Sequence, residues 1–271
     1  MVIVYLLLNT ILTGHVWDRM VVSKSALTVE YCEFNNVDKF FHQSMNTYSN
    51  IIYFFFGIFI CQLTWADYKN KERSYQNRLQ QFPALSFLMG GSFIYLSVGS
   101  AFFHASLTWV GQRMDMNGTY SLSISLVCIC LYHVFYKQAL SDRAKKRITG
   151  AALVMILALY PLSLLVPSSI LLPFFILTIW VLTVINYAQF RKERSLLFAL
   201  LSILLIIVAF KIRQLDVQKI NCDPYSLYQG HSVWHLLAAL SSFLSYSFFR
   251  FTASVTQSQN APFLTNSARS E

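Results

Sequence analysis

Charged residues are scarce in this chain of 271 residues. Asp, Glu, Lys and Arg together make up 12% of the sequence, about half of the roughly 25% found in ordinary soluble domains. So few charges cannot cover the surface of a small water-soluble protein, because too much apolar area would stay exposed. The composition therefore excludes a soluble protein.

Other features are also missing. Five scattered cysteines are too few for a disulfide-rich scaffold, and we find neither an internal repeat nor a glycine-rich phosphate loop. The net charge of +9 is best explained in so apolar a chain by Lys and Arg residues that set membrane orientation. We therefore expect no nucleic-acid partner, and we predict no protein partner.

Apolar residues dominate what is present. Hydrophobic residues make up 55% of the chain, aromatic residues 16%, and the mean hydropathy is +0.48. At about 20 residues per span, this length predicts one all-α membrane domain, a bundle of seven transmembrane helices. The predicted spans are residues 46–65, 84–107, 115–136, 148–166, 170–190, 196–213 and 230–249.

The positions of the basic residues predict the orientation of the bundle. The connectors after the first, third and fifth spans, with the C-terminal tail, hold 14 of the 21 basic residues. The positive-inside rule then places the N-terminus outside or in a lumen and the C-terminus in the cytoplasm. We divide the chain into an outer segment 1–45, a helix domain 46–250 and a disordered cytoplasmic tail 251–271. Residues 2–12 are apolar but too short to span, which favours an interfacial or partly buried segment over a signal sequence.

Ionisable side chains inside spans are costly, so each one there is a candidate functional residue. Ser100 and His104 share one helical face near the outer end of the second span, and Asp115 is expected at the start of the third. His231 and His235 share a face at the start of the seventh. All five are predicted at the same membrane surface, and three imidazoles are a known ligand set for catalytic zinc.

With these residues in view, the chain resembles the alkaline ceramidase family. That family belongs to a wider superfamily of seven-span hydrolases, which includes the progestin and adiponectin receptors and GPI-remodelling proteins. The resemblance covers nearly the whole chain and rests on the combination and order of several motifs. These are EYCEFN at 30–35, NTYSN at 46–50, Ser100 with His104, Asp115, CDPYS at 222–226 and QGHSVWH at 229–235.

The resemblance implies a zinc amidase that splits ceramide into a sphingoid base and a free fatty acid. It assigns zinc to His104, His231 and His235. Asp115 would be the general acid and base of the reaction. Ser100 would stabilise the oxyanion or orient the water.

The family pattern also includes calcium ligands before the first span, usually Asp-Trp-Cys-Glu-x-Asn followed by a further glutamate. Here Glu30 and Tyr31 replace the first two residues. Glu33 and Asn35 match, and Gln43 falls at the last carboxylate position. Calcium prefers oxygen ligands that include carboxylates. A calcium site at these residues is therefore one expectation, and an ordinary polar loop is the other.

Two cysteines, Cys32 and Cys222, lie on the outer side by the charge argument. That side is an oxidising compartment, where a disulfide persists. We therefore expect these two cysteines to be bonded to each other.

The predicted function is thus a membrane ceramidase whose partners are a lipid substrate and the bilayer. Two alternatives stay open: a related hydrolase of GPI or ester lipids, and a receptor that senses lipids without catalysis. The predicted location is a bacterial inner membrane or an ER or Golgi membrane, with the active site near the periplasmic or lumenal face.

Overall fold

Long helices form most of the protein in a computed structural model, which describes residues 2–69, 77–162, 168–191 and 195–251. We label eight of these helices α1 to α8. In chain order they are Val2–Ile11, Ser44–Lys69, Pro83–Ser106, Trp109–Val134, Asp142–Leu162, Ser168–Gln189, Leu197–Val217 and Gly230–Arg250. Asn50 separates α2 into a short first segment and a longer second one.

Within the described residues, six helices are long and apolar enough to cross a membrane: α2, α3, α4, α6, α7 and α8. This agrees with a multi-pass, all-α membrane protein. The helix α5 begins with five charged residues among its first six, so its apolar part within the described range is short for a 30 Å hydrocarbon core. The predicted span 148–166 runs into residues 163–167, which lie outside the described range. The seventh span and the orientation of the termini therefore stay predictions.

The helices α3 and α4 occupy the centre of the bundle, whereas α6 and α7 leave most of their apolar side chains on the outside. Glycines allow the close approach of α3 and α4. A Cβ atom added at Gly99 would lie 2.9 Å from the Met114 carbonyl oxygen, and one at Gly118 would lie 2.8 Å from Leu96 Cα. The two backbones therefore touch, with Ser100 of α3 next to Asp115 of α4.

The start of α4 corrects one expectation. Asp115 is not at the beginning of the helix, because α4 starts at Trp109 and Asp115 lies almost two turns further on. The hydroxyl of Thr108 caps this helix and accepts a hydrogen bond from the Gly111 amide at 3.2 Å. Asp115 is therefore free for a role other than capping.

The segment before α2 folds over one end of the bundle. The helix α1 packs Tyr5 and Leu8 against Phe40 and Phe41, next to the end of α3, and leaves its other face exposed. This arrangement is consistent with an interfacial segment. The predicted disordered tail lies outside the described range beyond residue 251.

Candidate metal centre and active site

Three histidines form a buried cluster where α3 ends and α8 begins. His104 lies in the last turn of α3, while His231 and His235 lie one turn apart on α8. One ring nitrogen from each lies within 4.8 Å of the others. The predicted convergence of these histidines is thus present, and the cluster could hold a metal ion.

The tautomer of His104 follows from its partner. Its Nδ1 lies 2.7 Å from Gln43 Oε1, which also accepts a hydrogen bond from Asn46 Nδ2 at 3.2 Å. Because the Asn46 amide nitrogen can only donate, the Gln43 atom is the acceptor, and His104 Nδ1 must carry the hydrogen. The Nε2 lone pair of His104 is then free to bind a metal.

The tautomer of His235 also follows from its hydrogen-bond partner. Its Nδ1 lies 2.7 Å from the Ser49 hydroxyl, which donates its own hydrogen to the Asn46 carbonyl at 2.9 Å. Ser49 therefore accepts from Nδ1–H, and the His235 Nε2 lone pair is also available. Such partners fix ring orientation at metal sites.

His231 completes the set. Its Nε2 lies 3.2 Å from His104 Nε2, and since the His104 atom carries no hydrogen, a proton or a cation must lie between them. Two ligands of a tetrahedral zinc at about 2.0–2.1 Å would be separated by about 3.3–3.4 Å, which is close to this distance. Tyr31 stacks on the His231 ring at 3.9 Å between centroids. Three imidazoles are a donor set that zinc accepts, and the spacing of His104 and His231 is close to that of two zinc ligands.

Asp115 and Ser100 line the same cavity as His231 and His235. The Asp115 carboxylate is half-buried, and its polar neighbours are Ser100, Arg213 and Glu30. The Ser100 hydroxyl is buried beside this carboxylate but makes no well-formed hydrogen bond within the described residues. This hydroxyl is therefore placed to donate to the Asp115 carboxylate, to a substrate or to a water.

The cavity has a volume of about 580 Å³ and extends from the histidines between α4, α6, α7 and α8. This volume lies within the range of about 300–1,000 Å³ for small-molecule sites. Aromatic and aliphatic side chains line it, along with several serine hydroxyls. Its far wall includes Leu172, Ile176, Trp180 and Ile206.

The residues considered for calcium lie in the loop before α2, close to the histidines. Burial raises the pKa of Glu33 to about 7, although the backbone amides of Asn46 and Met45 lower it. Glu30 pairs with Arg213 at 3.0 Å, and Asn35 accepts a hydrogen bond from Gln43 Nε2 at 2.7 Å. This geometry lends the calcium expectation no support, since both Glu33 oxygens, Asn35 Oδ1, Gln43 Oε1 and Glu30 Oε1 already have partners.

The disulfide between Cys32 and Cys222 is present, with 5.7 Å between the two Cα atoms. It confirms the predicted pairing and ties this loop to the segment that leads into α8.

Four residues that support the site have no such role predicted from the sequence. Gln43 is predicted only as a possible calcium ligand, Ser49 lies in the NTYSN motif at 46–50 without a predicted role, and Arg213 and Asp216 carry no prediction. The predicted sixth span ended at residue 213, whereas α7 continues to Val217. Charged residues at the end of an apolar run were the signal that could have identified Arg213 and Asp216.

Asp216 links three parts of the site. Its Oδ1 accepts a hydrogen bond from the His231 amide at 3.2 Å, and its Oδ2 accepts one from the Cys32 amide at 3.2 Å. The side chain itself is buried. It thus caps α8 and anchors the disulfide-linked loop.

We expect Asp216→Ala to lower the free energy of unfolding by about 2–4 kcal/mol, because two buried amides lose their acceptor. Denaturation in detergent micelles measures this change. Asp216→Asn keeps one acceptor oxygen and should lose about half as much. Equal stability of the alanine variant and the unmutated protein would contradict this role.

The model of the Ceramidase family matches residues 23–268, nearly the whole chain. The protein therefore belongs to the ceramidase family, which makes it a membrane-lipid hydrolase that acts on an amide bond. Among curated proteins, no sequence matches the chain significantly.

Proposed function

We propose that this protein is a zinc-dependent ceramidase of seven transmembrane helices that hydrolyses the N-acyl amide of ceramide. The observation that carries the proposal is the buried cluster of His104, His231 and His235, two of which, His231 and His235, line a cavity of about 580 Å³. Family membership supplies the amide bond. The tautomers of His104 and His235 supply two lone pairs in position to bind a cation, and His231 Nε2, 3.2 Å from His104 Nε2, is the third nitrogen of the cluster.

A zinc ion held by these three nitrogens would polarise the amide carbonyl and make a water molecule easier to deprotonate. Gln43 and Ser49 hold the rings of His104 and His235 so that their Nε2 atoms face the site. The rings therefore need no reorientation when the metal binds.

Asp115 is the proposed general base and acid. Its carboxylate takes the proton of the attacking water and later delivers a proton to the leaving amine of the sphingoid base. Ser100 donates its hydroxyl hydrogen to the oxygen that gains negative charge at the amide carbon. The close contact of α3 and α4 at Gly99 brings these two residues together.

The cavity suits a substrate that stays in the bilayer. Its wall of aliphatic and aromatic side chains can bury a hydrocarbon chain, while the polar residues surround the scissile amide. In the proposed orientation, the active site faces the periplasm or lumen and the tail lies in the cytoplasm.

Purified protein supplied with defined lipids tests the substrate class. We expect mass spectrometry to show one free fatty acid and one sphingoid base for each ceramide consumed, and no cleavage of ester or GPI lipids. Ester or GPI cleavage without ceramide cleavage would favour the related hydrolase. Binding without any cleavage would favour a lipid-sensing receptor.

A further inference from the structure

We propose that the loop before α2 supports the active site without calcium, with Gln43 as a positioning residue for His104 and Arg213 as the fixed cation beside Glu30. The inference rests on the proposed zinc site only for the role of Gln43. The proposal that the loop needs no calcium depends only on the contacts of the loop itself.

The side chain of Glu33 is buried. Its two carboxylate oxygens accept hydrogen bonds from the backbone amides of Met45 at 2.7 Å and Asn46 at 2.8 Å. These amides belong to the first turn of α2, where the helix dipole favours a negative charge. Glu33 thus acts as the cap of α2, and both of its oxygens are engaged there.

Gln43 stands where a carboxylate would be required for calcium. Its Oε1 accepts hydrogen bonds from His104 and Asn46, and its Nε2 donates to Asn35 Oδ1 at 2.7 Å. Because the NH₂ group of Gln43 donates to Asn35 Oδ1, this oxygen already has a hydrogen-bond partner. The side chain therefore joins the loop directly to a proposed metal ligand.

An ion pair between Arg213 and Glu30 supplies a positive charge to the loop. Arg213 reaches the loop from α7 and places its Nη2 at 3.0 Å from Glu30 Oε1. The guanidinium supplies the positive charge that a bound calcium ion would otherwise bring to this carboxylate. Asp38, the other carboxylate of the loop, is exposed on its surface.

Among the described residues of the loop, both Glu33 oxygens, Asn35 Oδ1, Gln43 Oε1 and Glu30 Oε1 already have a hydrogen-bond or ion-pair partner, whereas calcium needs six to eight oxygens with carboxylates among them. The loop is held by a helix cap, an amide relay and an ion pair. A calcium ion bound through Gln43 Oε1 or Glu30 Oε1 would compete with His104 Nδ1–H or with the Arg213 guanidinium.

The calcium arm of the test uses the unmutated full-length protein. After dialysis in metal-free buffer, calcium chloride is added up to about 1 mM, the upper end of biological calcium sites. We expect no bound calcium by equilibrium dialysis and no shift in melting temperature. Stoichiometric calcium with a raised melting temperature would overturn the proposal.

The Gln43 arm measures zinc affinity by competition with a chelator. Gln43→Met has a similar volume but no acceptor for His104, so we expect zinc to bind about 10–100-fold more weakly, the usual effect of losing such a partner. Gln43→Glu restores an acceptor for His104 and should return the affinity to within a few fold of the unmutated protein. Rescue by this variant is a result that a general packing role would not give.

Ser44→Ala is the matched control, because Ser44 neighbours Gln43 but its hydroxyl donates to the Phe41 carbonyl and, within the described residues, to no group of the histidine cluster. We expect it to leave zinc affinity unchanged. Equal affinity in Gln43→Met and Ser44→Ala would overturn the role of Gln43, and if Gln43→Met fails to fold, the calcium arm still decides the proposal. A protein that binds no zinc at all would refute the proposed function, while calcium binding by an active zinc enzyme would refute only this inference.

Discussion

Alanine at His104, His231 or His235 is expected to remove zinc and ceramide hydrolysis together. Each substitution leaves two of three imidazole ligands, too few for a catalytic zinc site that needs three protein ligands and one open position. We expect zinc near background and turnover reduced to the background without enzyme. Elemental analysis and product release from the same preparation give both values.

His15→Ala is the control for this series. His15 is exposed and pairs only with Asp18, at 3.0 Å, so its removal should leave zinc and activity unchanged. Full zinc occupancy after all three single substitutions in the cluster would show that the ion lies elsewhere. Loss of zinc with normal hydrolysis would separate the metal from the reaction.

Asp115→Asn is expected to retain zinc but to lower turnover by about 10²-fold or more, the usual scale for a positioned general acid and base. The carboxamide keeps the shape of the side chain but cannot take up the proton. Steady-state hydrolysis of ceramide, with zinc content measured in parallel, provides the test.

The matched control for this second prediction is Thr108→Ala. Because Thr108 is the cap of α4, its loss should cost about 1 kcal/mol of stability with turnover almost unchanged. Near-normal turnover by Asp115→Asn would leave the mechanism without its base.

The helical architecture could be predicted from the sequence because apolar runs long enough to span a bilayer are a strong signal. The histidine cluster could also be predicted, since His231 and His235 are one turn apart and His104 ends a helix at the same predicted surface. The disulfide followed from placing Cys32 and Cys222 on one side. These inferences need only periodicity and topology.

The predicted position of Asp115, at the start of its helix, was wrong for a physical reason. The apolar run was taken to begin near residue 115, but α4 extends to Trp109 through a more polar first turn that includes Gln112 and Arg113. Helix length depends on backbone hydrogen bonds and caps as well as on hydrophobicity. The Thr108 cap was the signal that marked the true start.

The supporting residues could not be predicted in the same way. Gln43 and His104 are 61 positions apart, and Ser49 and His235 are 186 apart. No periodicity connects such pairs. Their contacts depend on how the outer loop folds against the ends of α3 and α8, which only the three-dimensional structure shows.

The central claim is that zinc at the histidine cluster is required for ceramide hydrolysis. Its most direct test is the rate of sphingoid-base release by purified protein that is stripped of metal and then reloaded with increasing zinc. We expect no release from the stripped protein and a rate that rises in proportion to bound zinc, reaching its maximum at about one ion per chain. Hydrolysis by the stripped protein at the same rate as by the reloaded protein would contradict the claim.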